Sequence, residues 1–215
     1  YSAAFRIFSV TIIPAGIFLT VFYPQLSAAW GNKGRMLESS SSYANILMFF
    51  GSLISGAGFL FAKDAIEILF GEKFIGAVPV LQISIITVFV IHVKSIFGPC
   101  LLAWNEERRH MITLTFGAIL NVILNFALIP EHGVIGAAIA SLACQILIMA
   151  IFIWNYKKLL NTMHFGIIIS AIVSILLSGF GANEAYDLLT ETMLFWSPII
   201  ELTVRLIIYC VLFLL

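Results

Sequence analysis

The chain has 215 residues, of which 61% are apolar and 10% charged, and its eleven Lys and Arg balance eleven Asp and Glu. A soluble domain carries roughly 25% charged residues and about 45–50% apolar ones, whereas the mean hydropathy here is +1.09. This excludes a soluble enzyme, a disordered tail and a nucleic-acid-binding module, which needs net positive charge for phosphate. The sequence reads as an integral membrane protein.

A helix needs about 20 residues at about 1.5 Å each to cross roughly 30 Å of hydrocarbon. Polar punctuation marks out seven such segments. Span A covers residues 1–29, and a loop over 30–42 follows. Span B covers 43–62, and residues 63–77 connect it to span C, 78–103. Span D, 111–129, turns through Pro130, Glu131, His132 and Gly133 into span E, 134–155. Span F covers 165–182 and span G 196–215. The runs are continuously apolar and far longer than the roughly 10 alternating residues of a barrel strand, so the expected fold is an all-α polytopic transmembrane helix bundle.

Loop charge gives a direction. Lys33 and Arg35, Arg108 and Arg109, and Lys157 and Lys158 occupy alternate loops, A–B, C–D and E–F. The opposite loops hold Lys63 and Lys73 among seven acids: Asp64, Glu67, Glu72, Glu131, Glu184, Asp187 and Glu191. Positive loops stay inside, which puts Tyr1 on the outer side and Leu215 on the inner side. With no initiating Met and no charged stretch before span A, the chain reads as the C-terminal part of a longer protein, with at least one further helix upstream.

Lipid supplies no hydrophobic drive between helices, so small residues should mark close packing and polar ones should face inward. Span E has Gly136, Ala140 and Cys144 on one stripe and Ala137, Ser141 and Gln145 on the next. Span B carries Gly51, Ser55, Gly56 and Gly58, and span F Ser170, Ser174 and Ser178. These read first as packing surfaces. Thr113, Gly117, Asn121 and Asn125 share a face of span D; two buried amides there require a polar cavity or a cross-helix hydrogen bond. Cys100, Cys144 and Cys210 have no metal or redox spacing and read as small buried residues.

Charges within the spans are few. Arg6, near the outer end of span A, is either a snorkelling anchor or a cavity cation. Lys94 lies mid-membrane with no acid three or four positions away, which points to a water-filled cavity or an anionic ligand, or else to an acid on another helix. His92 sits on roughly the opposite face and reads as a core histidine. Glu201 and Arg205, four apart with the acid first, read as a self-neutralising pair. Pro14 and Pro99 are hinges or passive kinks. The sequence shows neither HExxH nor a P-loop, so no catalytic residue, cofactor or metal is expected.

The opening YSAAFRI, the FYPQLS exit, ILFGEKF and above all NVILNFALIPEHGVIGAAIAS resemble the C-terminal half of polysaccharide flippases. These belong to the multidrug, oligosaccharidyl-lipid and polysaccharide exporter superfamily. The resemblance covers spans A to E. It implies two six-helix lobes around a central cavity, with spans A to E as the second to sixth helices of the second lobe and the N-terminal lobe missing here. Residues 1–160 would then be lobe helices, and 161–215 two additional C-terminal helices. It also implies flipping of a polyprenyl-diphosphate-linked oligosaccharide across the cytoplasmic membrane of a bacterium or archaeon. The family motif itself defines no binding residue. Lys94, Arg6, Asn121 and Asn125 are therefore the substrate-binding candidates on their chemistry alone, with lipid-linked oligosaccharide, membrane lipid and the other lobe as partners. A multidrug antiporter would favour an intramembrane acid, and Glu201 is the one available; a membrane transferase would need acids or histidines grouped at one face.

Overall fold

The computed structural model describes residues 2–162, 166–173, 175–176 and 198–214, excluding the side chains of 198–202. Their regular elements are helical throughout: α1 (Ser2–Thr11), α2 (Ile13–Ala28), α3 (Lys33–Leu60), α4 (Ala62–Phe70), a 3-10 turn (Glu72–Ala77), α5 (Val78–Ala103), α6 (Glu107–Leu160) and α7 (Pro198–Leu214). Residues 166–173 are helical as well. Among the described residues, four stretches are long and apolar enough to cross a membrane: Ser2–Ala28, Lys33–Leu60, Glu72–Ala103 and Glu107–Leu160.

Span A is interrupted where proline dictates. Helix α1 stops at Thr11 and α2 begins at Ile13, with Pro14 in its first turn, a position that does not need the missing N–H. Span B starts ten residues earlier than its hydropathy suggests. The Asn32 side chain accepts from the Arg35 amide at 3.2 Å and caps α3. The serine run that reads as a loop instead satisfies its hydroxyls on the preceding turn: Ser39 donates to the Met36 carbonyl, and Ser40 and Ser41 to that of Leu37. The expected 63–77 connector is also structured. Helix α4 buries Ala62 and Ile66, while Lys63 and Glu67 pair at 3.6 Å on its outer face.

Spans D and E are the two helical arms of α6, joined at its non-helical residue Gly133, at φ 56° and ψ −130°. Pro130 does not end the first arm; the reversal waits for the residue without a Cβ, which alone adopts that backbone cheaply. The arms then lie antiparallel. The Cys144 thiol donates to the Gly117 carbonyl at 2.8 Å, and a Cβ on Gly117 would strike the Ile148 side chain. Close approach recurs between α3 and α5, where a Cβ on Gly51 would lie 2.7 Å from that of His92. The small residues of spans B, D and E thus mark packing surfaces, whereas Ser170 of the span F stripe is exposed.

Among the described residues, two large cores and a smaller one hold the bundle. At the end with the basic loops, Trp104 is fully buried and its indole N–H donates to the Leu26 carbonyl at 2.8 Å, tying α5 to α2. The hydroxyls of Ser40 and Tyr156 lie 2.7 Å apart and join α3 to α6. Tyr156 also packs against Phe97 and Trp104, with ring centroids at 5.1 and 5.8 Å. At the hairpin end the core is aliphatic and small: Ala3, Ala4, Ala62, Ile66, Leu81, Ile85 and Ala138 among others. Helix α7 docks on α3 and α4 through buried Tyr209, which stands edge-on to Phe61.

Candidate functional site

Lys94 lies nine residues before the end of α5, about 13 Å from that terminus at 1.5 Å per residue, so it sits near mid-membrane. Its ammonium donates to the Gln145 side-chain carbonyl on the second arm of α6 at 2.7 Å. Among the described residues it makes no ion pair; the recorded pairs are Lys63–Glu67, Arg109–Glu106 and Arg205–Asp64. The amide fills one N–H direction and leaves the charge uncompensated. Charge at that depth costs about 2.5–3.5 kcal/mol on insertion scales. Sequence reading places Gln145 on a packing stripe and does not connect it to Lys94, 51 positions away.

Packing fixes this pair on both sides. Gln145 follows Cys144, which is hydrogen-bonded to the first arm of α6. One turn beyond Lys94, Gly98 receives the Phe152 ring; a Cβ there would lie 2.8 Å from it. The same ring stacks on His110, centroids 5.1 Å apart and planes at 15°. The Phe152–His110 stack therefore lies about one turn of α5 from Lys94, toward the basic end. Pro99, within α5, has no N–H to offer the Ser95 carbonyl one turn back.

The other candidates are not gathered around it. Asn125 donates to both the carbonyl and the side-chain oxygen of Asn121, each at 2.9 Å, so the two amides pair along their own helix rather than across helices. Both are half-buried, and Asn125 borders a shallow groove with Val122, Phe126, Ile129 and Pro130. Arg6 is exposed on α1, whose Ala3 and Ala4 belong to the hairpin-end core, whereas Val93 and Ile96 beside Lys94 belong to the opposite one.

His92 is a core histidine, fully buried, with Nδ1 2.9 Å from the Val88 carbonyl. Cys100 and Cys144 are buried as expected, but Cys210 is only half-buried. Arg205 reaches Asp64 on α4 at 3.8 Å, a partner outside its own helix; the Glu201 side chain, its expected partner, lies outside the described residues, as do Ser174, Ser178, Glu184, Asp187 and Glu191. Among the described residues no three metal-ligating side chains cluster.

The helices define a multi-pass membrane protein. The chain superposes on the lipid II flippase MurJ in an inward closed conformation with a TM-score of 0.75, at 15% identity, over 98% of its own length and 46% of that chain. In sequence it is 29% identical over 150 residues to the Probable low-salt glycan biosynthesis flippase Agl15 of Haloferax volcanii, a match covering 66% of this chain and 30% of that relative. It is also 29% identical over 144 residues to the uncharacterized membrane protein MJ1068 of Methanocaldococcus jannaschii, covering 66% of this chain and 28% of the relative. No family model matches. The chain thus spans less than a third of these relatives' length. The comparisons support the flippase family that the sequence motifs resemble, in sequence over part of the chain and in fold over nearly all of it.

Proposed function

We propose that this chain supplies one lobe of a transporter that flips polyprenyl-diphosphate-linked oligosaccharide from the cytoplasmic to the outer leaflet of the cell membrane by alternating access. The carrying observation is the flippase fold across 98% of the chain, joined to sequence similarity with a glycan biosynthesis flippase. On this reading residues 1–160 contribute five helices of the C-terminal lobe and 161–215 add two more. A second lobe completes the cavity, and the host is archaeal or bacterial. The protein moves its cargo without chemical conversion. Lys94 and Arg6 offer cationic groups to the diphosphate, and Asn121 and Asn125 offer amides; the unneutralised ammonium of Lys94 is the main support for this assignment.

The test reconstitutes the intact transporter in liposomes and follows a fluorescent lipid-linked sugar between leaflets. Flipping above empty-liposome background is expected. Lys94→Arg should retain it in part, while Lys94→Gln and Lys94→Glu should lose it and still insert. Absence of flipping by the wild type defeats the function, and normal flipping by Lys94→Gln defeats the binding role.

A further inference from the structure

Lys94 could offset its charge on a carboxylate, as Arg205 does on Asp64 at 3.8 Å, yet its partner is an amide. That choice matters. A carboxylate at 2.7 Å would fill the donor and cancel the charge together; an amide fills one donor and leaves the charge for something else. The surroundings maintain this neutral setting. The Cys144 thiol, which lies within electrostatic reach of Lys94, donates its proton to the Gly117 carbonyl. His110, also within reach, lies flat on Phe152. No acid on α5 or on either arm of α6 pairs with the lysine.

The ammonium has three donors. One points to Gln145 on a helix fixed in register by the hairpin, so the other two are aimed rather than free to rotate. We infer that Gln145 is a positioning residue for the translocated anion: it holds the Lys94 ammonium across the α5–α6 seam without neutralising it, leaving two N–H donors and a full charge for a phosphate group of the cargo. This inference rests on the proposed substrate-binding role of Lys94 and extends it to a residue that does not touch the cargo. It also explains why the partner is neutral. A permanent ion pair would compete with the phosphate on every cycle, whereas an amide remains in place as the anion arrives and leaves.

Three variants of the intact transporter test this, with a fluorescent polyprenyl-diphosphate-linked disaccharide as probe and half-saturating concentration and maximal flipping rate measured separately. Gln145→Leu removes the acceptor and should raise the half-saturating concentration about 5-fold or more, one lost hydrogen bond's worth, at little change in maximal rate. Gln145→Glu supplies a charged acceptor of the same shape. It should lower the maximal rate at least about 10-fold while leaving thermal stability equal or higher, an outcome that loss of packing cannot produce. The exchange Lys94→Gln with Gln145→Lys puts the cation on the opposite helix and should recover a substantial part of the transport that Lys94→Gln alone loses. Wild-type transport by Gln145→Glu, or an unchanged half-saturating concentration in Gln145→Leu, overturns the inference. Should Gln145→Glu fail to fold, Gln145→Leu and the exchange still decide the matter. Normal transport by Lys94→Gln instead removes the reading beneath it, so the two failures are told apart.

Discussion

Trp104→Phe isolates the lock at the basic end of the bundle. The indole N–H is the donor that satisfies the Leu26 carbonyl, at 2.8 Å, in a site with 0% exposure. Phenylalanine keeps an aromatic ring against Tyr156 but has no N–H. The Leu26 carbonyl is then left with only the long 3.3 Å approach of the Ala29 amide. A buried acceptor losing its partner costs about 1–3 kcal/mol; cross-helix hydrogen bonds in membrane bundles average nearer 0.6. The smaller ring also leaves a gap whose walls lose packing. Together these give about 2 kcal/mol, or a fall in Tm of about 4–8 °C for a chain of this size. Cys100 and Cys144, at 0% and 3% exposure, provide the readout: a thiol-reactive fluorophore added during heating lights up as they become accessible. Trp154→Phe is the control, since Trp154 is 68% exposed and its replacement should shift Tm by less than about 2 °C. Equal shifts for the two variants would show that the Trp104 hydrogen bond does not hold α2 to α5.

The same melting assay tests the crossing of α3 and α5. Gly51→Ala puts a methyl 2.7 Å from the His92 Cβ and should lose about 1–3 kcal/mol through overpacking; an unchanged melt refutes the close approach. For the amide pair on α6, replacing Asn121 and Asn125 together with Leu removes two hydrogen bonds made within one helix, worth about 0.6 kcal/mol each. Folding should therefore survive while flipping by the intact transporter declines, and unaltered flipping returns both residues to packing.

The membrane class, spans A to E and the hairpin near Gly133 were all legible in the sequence, because hydropathy, turn residues and glycine report on local physics. Errors arose where a local signal has two meanings. The serines at 39–41 are loop formers in isolation, yet inside α3 they return their hydroxyls to the carbonyls behind them. Residues 63–77 are too polar for a span, but a short helix with Ala62 and Ile66 inward uses that polarity on its outer side. Long-range partners are a separate matter: Arg205 reaches Asp64, 141 positions back in the chain, and no spacing on its own helix reveals that contact.

The candidate site was half legible, for the same reason. Lys94 stood out because hydropathy makes any mid-span charge conspicuous, and its lack of a local acid can be read from neighbours at three and four positions. Its partner cannot be read that way. Gln145 lies on a stripe with Ala137 and Ser141, and that spacing fits helix packing as well as it fits a polar site. Only the hairpin at Gly133, which brings the second arm of α6 back along α5, and the Cys144–Gly117 bond, which sets its register, place that amide against the ammonium. The paired asparagines show the converse. Their shared face on α6 suggested two amides seeking partners across the bundle, yet a spacing of four lets them bond to each other first. Within a membrane helix, then, polar residues four apart must be tested as partners of one another before either is assigned to a cavity. Lys94 passes that test on sequence alone, whereas Asn121 and Asn125 do not.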